Sequence, residues 1–246
     1  MIWITRPETE RDDDLRVLLA GQGYKTHHTP LLERRFLSVD LSSFVEIDGL
    51  VVTSRNGVLG ALKSGVPDAW FDLPLFAVGD ATGRFAKEVG FQKVLVPPEA
   101  GGAERLVAFI GQHSLDQQSE LPPRFLHLRG AEVAVDFKAL LEEIGLLSFE
   151  AITYQMEGVE ALDDQTIDLI RSKQLDQVVL MSPRTAKVYG ALMRRADLLA
   201  DVAGMRHYCL SGAVAKALVL DGARSITVAA EPTVAALFEC IVSQPA

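Results

Sequence analysis

Two stretches of the chain, VVTSRNGVLGAL at residues 51–62 and VVLMSPRTAKVYGAL at residues 178–192, follow one plan. In each, an apolar, β-branched run ends at a small hydroxyl residue, and a helical pattern ending in Gly-Ala-Leu follows. Short apolar runs bounded by turn residues are typical of buried strands, and serine before an apolar helix is typical of an N-cap. The chain is therefore predicted to build the same strand, turn and helix twice.

The repeat extends into the flanking sequence. The strand-and-arginine pattern IWITRP at residues 2–7 resembles FLHLRG at residues 125–130. The strand, turn, helix and strand at residues 75–97 resemble those at residues 207–229. Strands that alternate with helices form parallel sheets with right-handed crossovers. The predicted fold class is therefore α/β, with two similar domains that are each a parallel sheet flanked by helices.

Length and composition limit the class of protein. The 246 residues are 48% hydrophobic and 23% charged, which is typical of a soluble globular protein. No apolar run approaches the roughly 18–20 residues of a membrane span, and the N-terminus lacks a secretory signal pattern. Two cysteines are too few for a disulfide framework. These features predict a cytoplasmic protein without a membrane partner. The first helix is expected to follow a cap at Thr9 or Asp12.

The formal net charge of −9 argues against a nonspecific nucleic-acid binder, which usually carries a basic stripe. An anionic small molecule remains a candidate ligand, because a local group of donors can bind it despite the overall sign. The five histidines show no metal-ligand spacing, so no metal site is predicted.

The turns after the predicted strands are the candidate binding residues. Amides at helix N-termini bind anions, and ligands gather at the carboxyl ends of parallel strands. Two such faces set opposite each other would form a cleft between the domains. The candidates in these turns are Thr53, Ser54, Arg55, Asn56, Gly79, Asp80, Ala81, Thr82, Ser182, Pro183, Arg184, Ser211, Gly212 and Ala213.

Arg6 and Arg129 end the paired strands, where a guanidinium can bind a carboxylate in bidentate fashion. For every one of these positions a structural interpretation stays open. A serine before a helix can be only an N-cap, and an arginine can serve only surface or domain packing.

A series of eight motifs in order resembles the uroporphyrinogen-III synthase family over nearly the whole chain. The motifs are TRP at 5–7, TSRN at 53–56, VGDATGRFAKEVGF at 78–91, LRG at 128–130, ITYQ at 152–155, MSPRTA at 181–186, LSGAVAKAL at 210–218 and AAEPTVAAL at 229–237.

This resemblance implies a discontinuous domain organisation. One α/β domain would comprise residues 1–33 and 157–246, and the second would comprise residues 36–153. A two-strand connector would lie near residues 34–38 and 153–156.

The resemblance also implies a reaction in tetrapyrrole biosynthesis, which leads to haem, sirohaem, cobalamin or chlorophyll. A lyase of this family closes the open-chain substrate hydroxymethylbilane, inverts its last pyrrole through a spiro intermediate, and releases uroporphyrinogen III. The resemblance implies no cofactor. A monomer is expected, with the preceding pathway enzyme as a second candidate partner.

Tyr154 matches the family's tyrosine after the strand that leaves the middle domain, and its phenol would assist departure of the hydroxyl group. The alternative is a half-buried structural tyrosine. The sequence departs from the family at Ala213 and Val214, where the usual turn has two threonines.

Two other functions stay open. A non-catalytic two-domain protein that binds an anionic small molecule would fit the altered turn at residues 211–214. A nucleotide-dependent α/β enzyme would need a P-loop or a Rossmann glycine triad, and the sequence contains neither.

Overall fold

A computed structural model of the chain describes residues 1–7, 13–99, 102–115, 121–132, 135–218, 220 and 225–243. The strands in these ranges are β1 (Ile2–Ile4), β2 (Thr26–His28), β3 (Leu32–Phe36), β4 (Gly49–Val52), β5 (Pro74–Ala77), β6 (Lys93–Leu95), β7 (Arg124–Gly130), β8 (Leu147–Gly158), β9 (Gln177–Leu180), β10 (Arg206–Cys209) and β11 (Ser225–Val228).

The helices in the same ranges are α1 (Asp13–Gly21), α2 (Arg55–Ser64), α3 (Asp80–Glu88), α4 (Gly102–Leu115), α5 (Phe137–Glu143), α6 (Asp164–Arg171), α7 (Pro183–Arg195), α8 (Leu199–Val202), α9 (Gly212–Ala217) and α10 (Val234–Val242). Short 3₁₀ turns lie at Leu41–Ser43 and Asp68–Asp72. The predicted caps Thr9 and Asp12 lie outside the described residues.

The chain divides into two compact units. Met1–Glu33 and Glu157–Ala246 form one of them, the split unit, and Arg34–Met156 forms the other, the continuous unit. The sheet of the split unit has the order β11-β10-β9-β1-β2, and that of the continuous unit has the order β3-β8-β7-β4-β5-β6.

All recorded pairings in the split unit are parallel. Ile2 of the inner strand β1 pairs with Thr26 of β2 and with Gln177 of β9. Side chains alternate between the two faces of a strand. Val178 accordingly joins a core with α6, α7 and α8, whereas Val179 joins a core with α1 and α10.

The continuous unit repeats this arrangement. The pairings of β8 with β7, β7 with β4, β4 with β5, and β5 with β6 are parallel. Leu50 and Val52 of β4 pack against α2 and α3, whereas Val51 packs against α4 and α5. Helices therefore cover both faces of both parallel sheets, and the predicted α/β fold class is confirmed.

The strand orders match the sequence repeat strand by strand. β1, β2, β9, β10 and β11 occupy the same relative places as β7, β8, β4, β5 and β6, and β3 is an additional strand beside β8. The two opening stretches are thus β4–α2 and β9–α7, one in each unit.

Candidate functional site

Each sheet has one topological switch point, where the strand order reverses its direction. In the split unit this point lies between β1 and β9, and in the continuous unit it lies between β4 and β7. Ligands of open parallel sheets bind outside the carboxyl ends of the strands at such a point. Arg6 and Ser182 follow the first pair of strands, while Ser54 and Arg129 mark the ends of the second pair.

Ser54 starts α2 directly after β4. Its backbone is extended, with φ −154° and ψ 154°, and its Oγ accepts a hydrogen bond from the amide of Gly57 at 3.3 Å. The predicted N-cap is therefore present. The amides of Arg55 and Asn56 precede the first residue that can bond within the helix, so they are directed out of its N-terminus.

Two glycines allow α2 to lie very close to β7 and β8. A Cβ atom on Gly57 would overlap the carbonyl oxygen of Leu128, and a Cβ atom on Gly60 would lie 2.6 Å from the carbonyl oxygen of Thr153. Neither backbone oxygen can move without breaking the sheet. The N-terminus of α2 is therefore held rigidly against the carboxyl ends of the two strands.

A register shift in β8 brings Tyr154 to this helix. Arg129 pairs with Ile152, but the next residue of β7, Gly130, pairs with Tyr154, so β8 contains one extra residue. Successive side chains of a regular strand point to opposite faces, and a bulge changes this direction. Here Thr153 Oγ1 donates to the carbonyl oxygen of Gly57 at 3.3 Å, and the Tyr154 hydroxyl lies 3.1 Å from Ser54 Oγ.

The absence of a side chain on Gly130 makes room for the tyrosine. A Cβ atom there would lie 2.7 Å from Cζ and 2.9 Å from the hydroxyl oxygen of Tyr154. Any larger residue would have to displace the phenol ring. Gly130 is thus a positioning residue for Tyr154.

Arg129 is engaged within the protein. Its Nε and Nη2 atoms lie 2.8 and 3.0 Å from the two carboxylate oxygens of Glu150, and its Nη1 donates to the carbonyl oxygen of Gly130 at 2.7 Å. The side chains of this ion pair are largely buried, at 13% and 25% exposure. The geometry is that of a clamp between β7 and β8.

The two polar residues that begin α2 contact neighbouring elements of the continuous unit. Arg34 of β3 donates a hydrogen bond to the side-chain oxygen of Asn56 and lies 5.0 Å from the ring centroid of Phe36. The Arg55 guanidinium lies 4.6 Å from the ring centroid of Phe85 on α3. Cation–π contacts of this kind restrict the arginine side chains near the helix N-terminus.

The third turn of the continuous unit begins α3. Gly79 is its N-cap and provides no side-chain hydrogen bond, and the Asp80 carboxylate occupies the first helical turn. A carboxylate there interacts favourably with the helix dipole and repels an anionic ligand. Ala81 and Thr82 follow, and the Thr82 side chain is buried. This turn is less suited to a carboxylate than the turn at Ser54.

The corresponding turn of the split unit begins α7. Ser182 has the same extended backbone as Ser54, and its Oγ accepts from the amide of Thr185 at 3.0 Å. The same Oγ lies 2.8 Å from Thr185 Oγ1. Pro183 occupies the first helical position and has no N–H, so it cannot donate a hydrogen bond to a ligand. Arg184 is the second residue of this helix.

The arginine turn of the split unit differs from its counterpart. The Thr5 hydroxyl donates to the carbonyl oxygen of Val179 at 2.6 Å and ties β1 to β9. The backbone carbonyl oxygen of Arg6 lies 2.8 Å from Nε2 of His28. In the sequence repeat, Arg6 corresponds to Arg129.

The fourth turn begins α9, which has only six residues. Ser211 is its N-cap and accepts from the amide of Val214 at 3.4 Å. Gly212 and Ala213 form the start of the helix. Val214 is 1% exposed and belongs to the core of the split unit. Where the resemblance implies a second threonine, this chain has Val214, and the methyl group that replaces the hydroxyl lies in an apolar environment.

His127 lies inside the continuous unit, close to the clamp. It is 1% exposed, and neither ring nitrogen has a hydrogen-bond partner among the described residues. Burial lowers the pKa of His127 to about 4; the negative charge of Glu150 opposes this shift, and Arg129 reinforces it. The ring packs against that of Phe137 with centroids 5.0 Å apart, so the histidine behaves as a neutral core residue.

His207 is the buried histidine of the split unit, and its ring is hydrogen-bonded. Nε2 lies 3.1 Å from the hydroxyl of Tyr189, and Nδ1 lies 3.3 Å from the carbonyl oxygen of Ser225. Burial lowers the pKa of His207, while hydrogen bonds to the backbone act in the opposite direction.

Sequence reasoning identified Ser54 and Tyr154 separately but did not pair them. It also missed Gly130, Gly57 and Thr153, which set the distance between the two hydroxyl groups. The sequence does show glycine at the end of β7 and within α2. The role of these glycines depends on which strand packs against them.

The described residues contain neither a metal-binding cluster nor a membrane-spanning helix. Within those ranges, no group of three or more His, Cys, Asp or Glu side chains could hold a metal ion. No helix in the described parts of the chain is long and apolar enough to cross a membrane.

Comparisons with known proteins complete this description. A model of the family described as uroporphyrinogen-III synthase HemD matches residues 13–239. The uroporphyrinogen-III synthetase of Helicobacter pylori is similar in structure, with a TM-score of 0.60 at 18% identity over 98% of this chain and 97% of that one. A mutant uroporphyrinogen III synthase of Thermus thermophilus matches with a TM-score of 0.48 at 14% identity, over 99% of this chain and 98% of that one. No curated protein sequence gives a significant match.

Proposed function

This chain belongs to the uroporphyrinogen-III synthase family, and we propose that it performs the family's reaction as a lyase in which Tyr154 assists departure of the hydroxyl group. The substrate is hydroxymethylbilane, whose ring closure with inversion of the terminal pyrrole gives uroporphyrinogen III. The substrate carries many carboxylates and a single hydroxymethyl group. The protein therefore needs donors for anions and one group that delivers a proton.

The observation that carries the proposal is the pair formed by Tyr154 and Ser54, whose oxygens lie 3.1 Å apart. Tyr154 is half-buried where the pairing of β8 with β7 ends, beside the N-terminus of α2. A general acid must lie within hydrogen-bond reach of the leaving group, so the proposal requires the substrate's hydroxyl group to bind beside Tyr154. The C–O bond breaks as the leaving oxygen takes the phenol proton and departs as water.

Amides at the helix N-termini are the proposed carboxylate donors. Those of Arg55 and Asn56 begin α2 in the continuous unit, and that of Arg184 lies in the first turn of α7 in the split unit. The turns at Gly79 and Ser211 would add contacts through backbone groups. Arg6 is retained as a candidate for a carboxylate, whereas Arg129 supports the β7–β8 clamp.

This arrangement favours inversion through positioning. The free substrate closes without inversion, so the protein must hold the chain with the substituted carbon of the terminal pyrrole next to the reactive methylene carbon. Holding two reacting groups in contact can accelerate a reaction by many orders of magnitude. Several fixed amides bound to several carboxylates would supply that restraint.

The experiment is to incubate the protein with freshly prepared hydroxymethylbilane and to separate the oxidised products by chromatography. We expect the type III isomer to predominate, at a rate well above that in buffer. Heat-denatured protein is the control and should yield only the type I isomer. Type I product alone at the buffer rate would reject the proposed function.

A further inference from the structure

We infer that Ser54 has a second role besides capping α2: its hydroxyl donates a hydrogen bond to the phenol oxygen of Tyr154 while that oxygen gives up its proton. This inference rests on the proposed function, in which Tyr154 is the proton donor. Ser54 is thereby a positioning residue for the catalytic tyrosine, and its part is distinct from that of a carboxylate-binding group.

The hydrogen-bonding capacity of Ser54 supports this role. A serine hydroxyl has one proton and two lone pairs. One lone pair of Ser54 accepts from the amide of Gly57 at 3.3 Å, which leaves the hydroxyl proton for another acceptor. The phenol oxygen of Tyr154 lies 3.1 Å away, within the distance of a hydrogen bond.

The chemical step shows why a donor is useful there. The substrate's C–O bond breaks with its electron pair on oxygen, and that oxygen takes the Tyr154 proton and leaves as water. The pyrrole nitrogen supplies electrons and an azafulvene cation forms, while Tyr154 becomes a phenolate. Ser54 then donates to the phenolate oxygen. When the last carbon–carbon bond forms, the proton lost from the pyrrole carbon returns to the phenolate, so Tyr154 is restored.

The helix strengthens this donor. The amide of Gly57 polarises the serine oxygen, and hydrogen bonds in a chain reinforce one another. The N-terminus of α2 also carries a partial positive charge, which favours an anion beside it. Both effects strengthen as the tyrosine loses its proton and gains negative charge, so they stabilise the transition state more than the resting enzyme.

Backbone constraints keep the two oxygens together. Gly57 and Gly60 hold α2 against the strands, Gly130 leaves room for the ring, and the bulge at Thr153 turns Tyr154 towards the helix. The equivalent serine of the split unit, Ser182, has its Oγ 2.8 Å from Thr185 Oγ1. The arrangement is therefore a property of Ser54 and does not follow from capping.

A double-mutant cycle tests the inference. We expect Ser54→Ala to lower kcat about 10-fold to 100-fold, as for a hydrogen bond to a charged group, with a smaller change in KM. In the Tyr154→Phe background the same Ser54→Ala substitution is expected to change kcat less than about twofold, because its partner is gone. Equal losses in both backgrounds would overturn the inference.

Three further variants separate this role from capping. Ser54→Thr keeps both the cap and the donor, so we expect kcat within about threefold of the original. Asp136→Ala removes the cap of α5 in the same unit, where Oδ1 accepts from the amide of Ala139 at 3.0 Å, and serves as the matched control with unchanged kcat. Ser54→Asp keeps the cap but has no proton to donate at neutral pH, so we expect its kcat to fall about as far as that of Ser54→Ala.

Ser54→Asp also keeps the inference testable if Ser54→Ala does not fold. If the Ser54→Asp protein kept the kcat of the unsubstituted protein, the inference would be overturned. Absence of type III product from the unsubstituted protein would overturn the proposed function and this inference together. A third outcome would overturn the role of Ser54 alone. In it, the protein forms the type III product and Tyr154→Phe lowers kcat strongly, but Ser54→Ala lowers kcat equally with and without the tyrosine.

Discussion

The two serine turns have nearly the same backbone but different surroundings. Ser54 and Ser182 both follow a buried strand in an extended conformation, and both cap the helix after it. Ser54 Oγ lies 3.1 Å from the hydroxyl of Tyr154, whereas Ser182 Oγ lies 2.8 Å from Thr185 Oγ1. Duplication has thus supplied two equivalent caps, and the neighbouring strand decides which of them meets an ionisable side chain.

The lengths of the neighbouring strands explain this difference. β8 has twelve residues and continues beyond its bulge, while its counterpart β2 has three and ends at His28. Tyr154 therefore has no equivalent within β2. The Ser54–Tyr154 pair therefore belongs to the continuous unit and has no counterpart at β2.

The buried histidines give a second contrast between the units. His127 has no hydrogen-bond partner among the described residues, whereas the ring of His207 has two. An unpaired buried polar group is unfavourable by about 1–3 kcal/mol. We therefore expect acid to affect the continuous unit through His127.

The largest expected effect concerns the pH dependence of stability. The pKa of His127 is about 4 in the folded protein and 6.5 ordinarily, so only the unfolded chain binds its proton in between. The stability attributable to neutral His127 is complete above pH 6.5 and is lost as the pH falls towards 4. The difference corresponds to about 3 kcal/mol. Urea unfolding at several pH values measures it.

His127→Leu should remove this part of the pH dependence and leave stability near pH 7.5 unchanged or slightly higher. Subtracting the two curves cancels the contributions of the other titrating groups. His207→Leu is the contrasting control, because it breaks hydrogen bonds to Tyr189 and Ser225 and should destabilise the protein at every pH. An unchanged acid slope in His127→Leu would contradict the assignment.

The next effect concerns the tyrosine itself. We expect Tyr154→Phe to lower turnover of hydroxymethylbilane about 100-fold, in the range of general acid catalysis. The free energy of unfolding should change by no more than about 1 kcal/mol, because one hydrogen bond is lost from a half-buried group. Tyr24→Phe in the split unit is the control. Unchanged turnover in Tyr154→Phe would remove Tyr154 from the mechanism.

A smaller effect is expected when the phenol is displaced instead of removed. Gly130→Ala places a Cβ atom 2.7 Å from Cζ of Tyr154, and we expect turnover to fall about 10-fold. Gly204→Ala is the matched control, since a Cβ atom there has no described atom within 4 Å. The loss should be much smaller in the Tyr154→Phe background. A Gly130→Ala protein with full activity would show that the close fit is unimportant.

The smallest expected effect concerns Ser182, the N-cap of α7, whose hydroxyl contacts Thr185 and not a tyrosine. We expect Ser182→Ala to reduce the free energy of unfolding by about 1 kcal/mol, as for loss of an N-cap. Thr233→Ala, which removes the cap of α10, should give a similar loss and provides the comparison. The effect of Ser182→Ala on turnover should add to that of Tyr154→Phe. A strong coupling between them would contradict the distinction drawn between the two serine turns.

Local sequence was sufficient for much of the fold. The β4 and β9 strands, the serine caps and the parallel α/β class were all predicted, because apolar periodicity and capping act over a few residues. Local apolar patterning does not reveal the additional strand β3, since Leu32–Phe36 has charged residues at three of its five positions. Residues 153–156, which the resemblance assigns to one strand of the connector, lie within β8.

The candidate site was predictable only in part. Ser54 and Tyr154 could be chosen by type, position and resemblance, whereas their distance depends on a register shift between β7 and β8. Gly130 and Thr153 carry no distinctive sequence signal for that shift. The sequence equally does not show that His127 has no hydrogen-bond partner within the described ranges, because this depends on what the surrounding elements place beside the ring.

The sequence by itself determined the duplicated strand–turn–helix plan, the caps and the family. Those features depend on residue type and on spacing within one segment. The tertiary structure decided that Ser54 meets a tyrosine, that Arg129 meets a carboxylate and that His127 has no hydrogen-bond partner among the described residues. Each of these depends on contacts between residues far apart in the chain, where a one-residue change of register alters the direction of every side chain that follows.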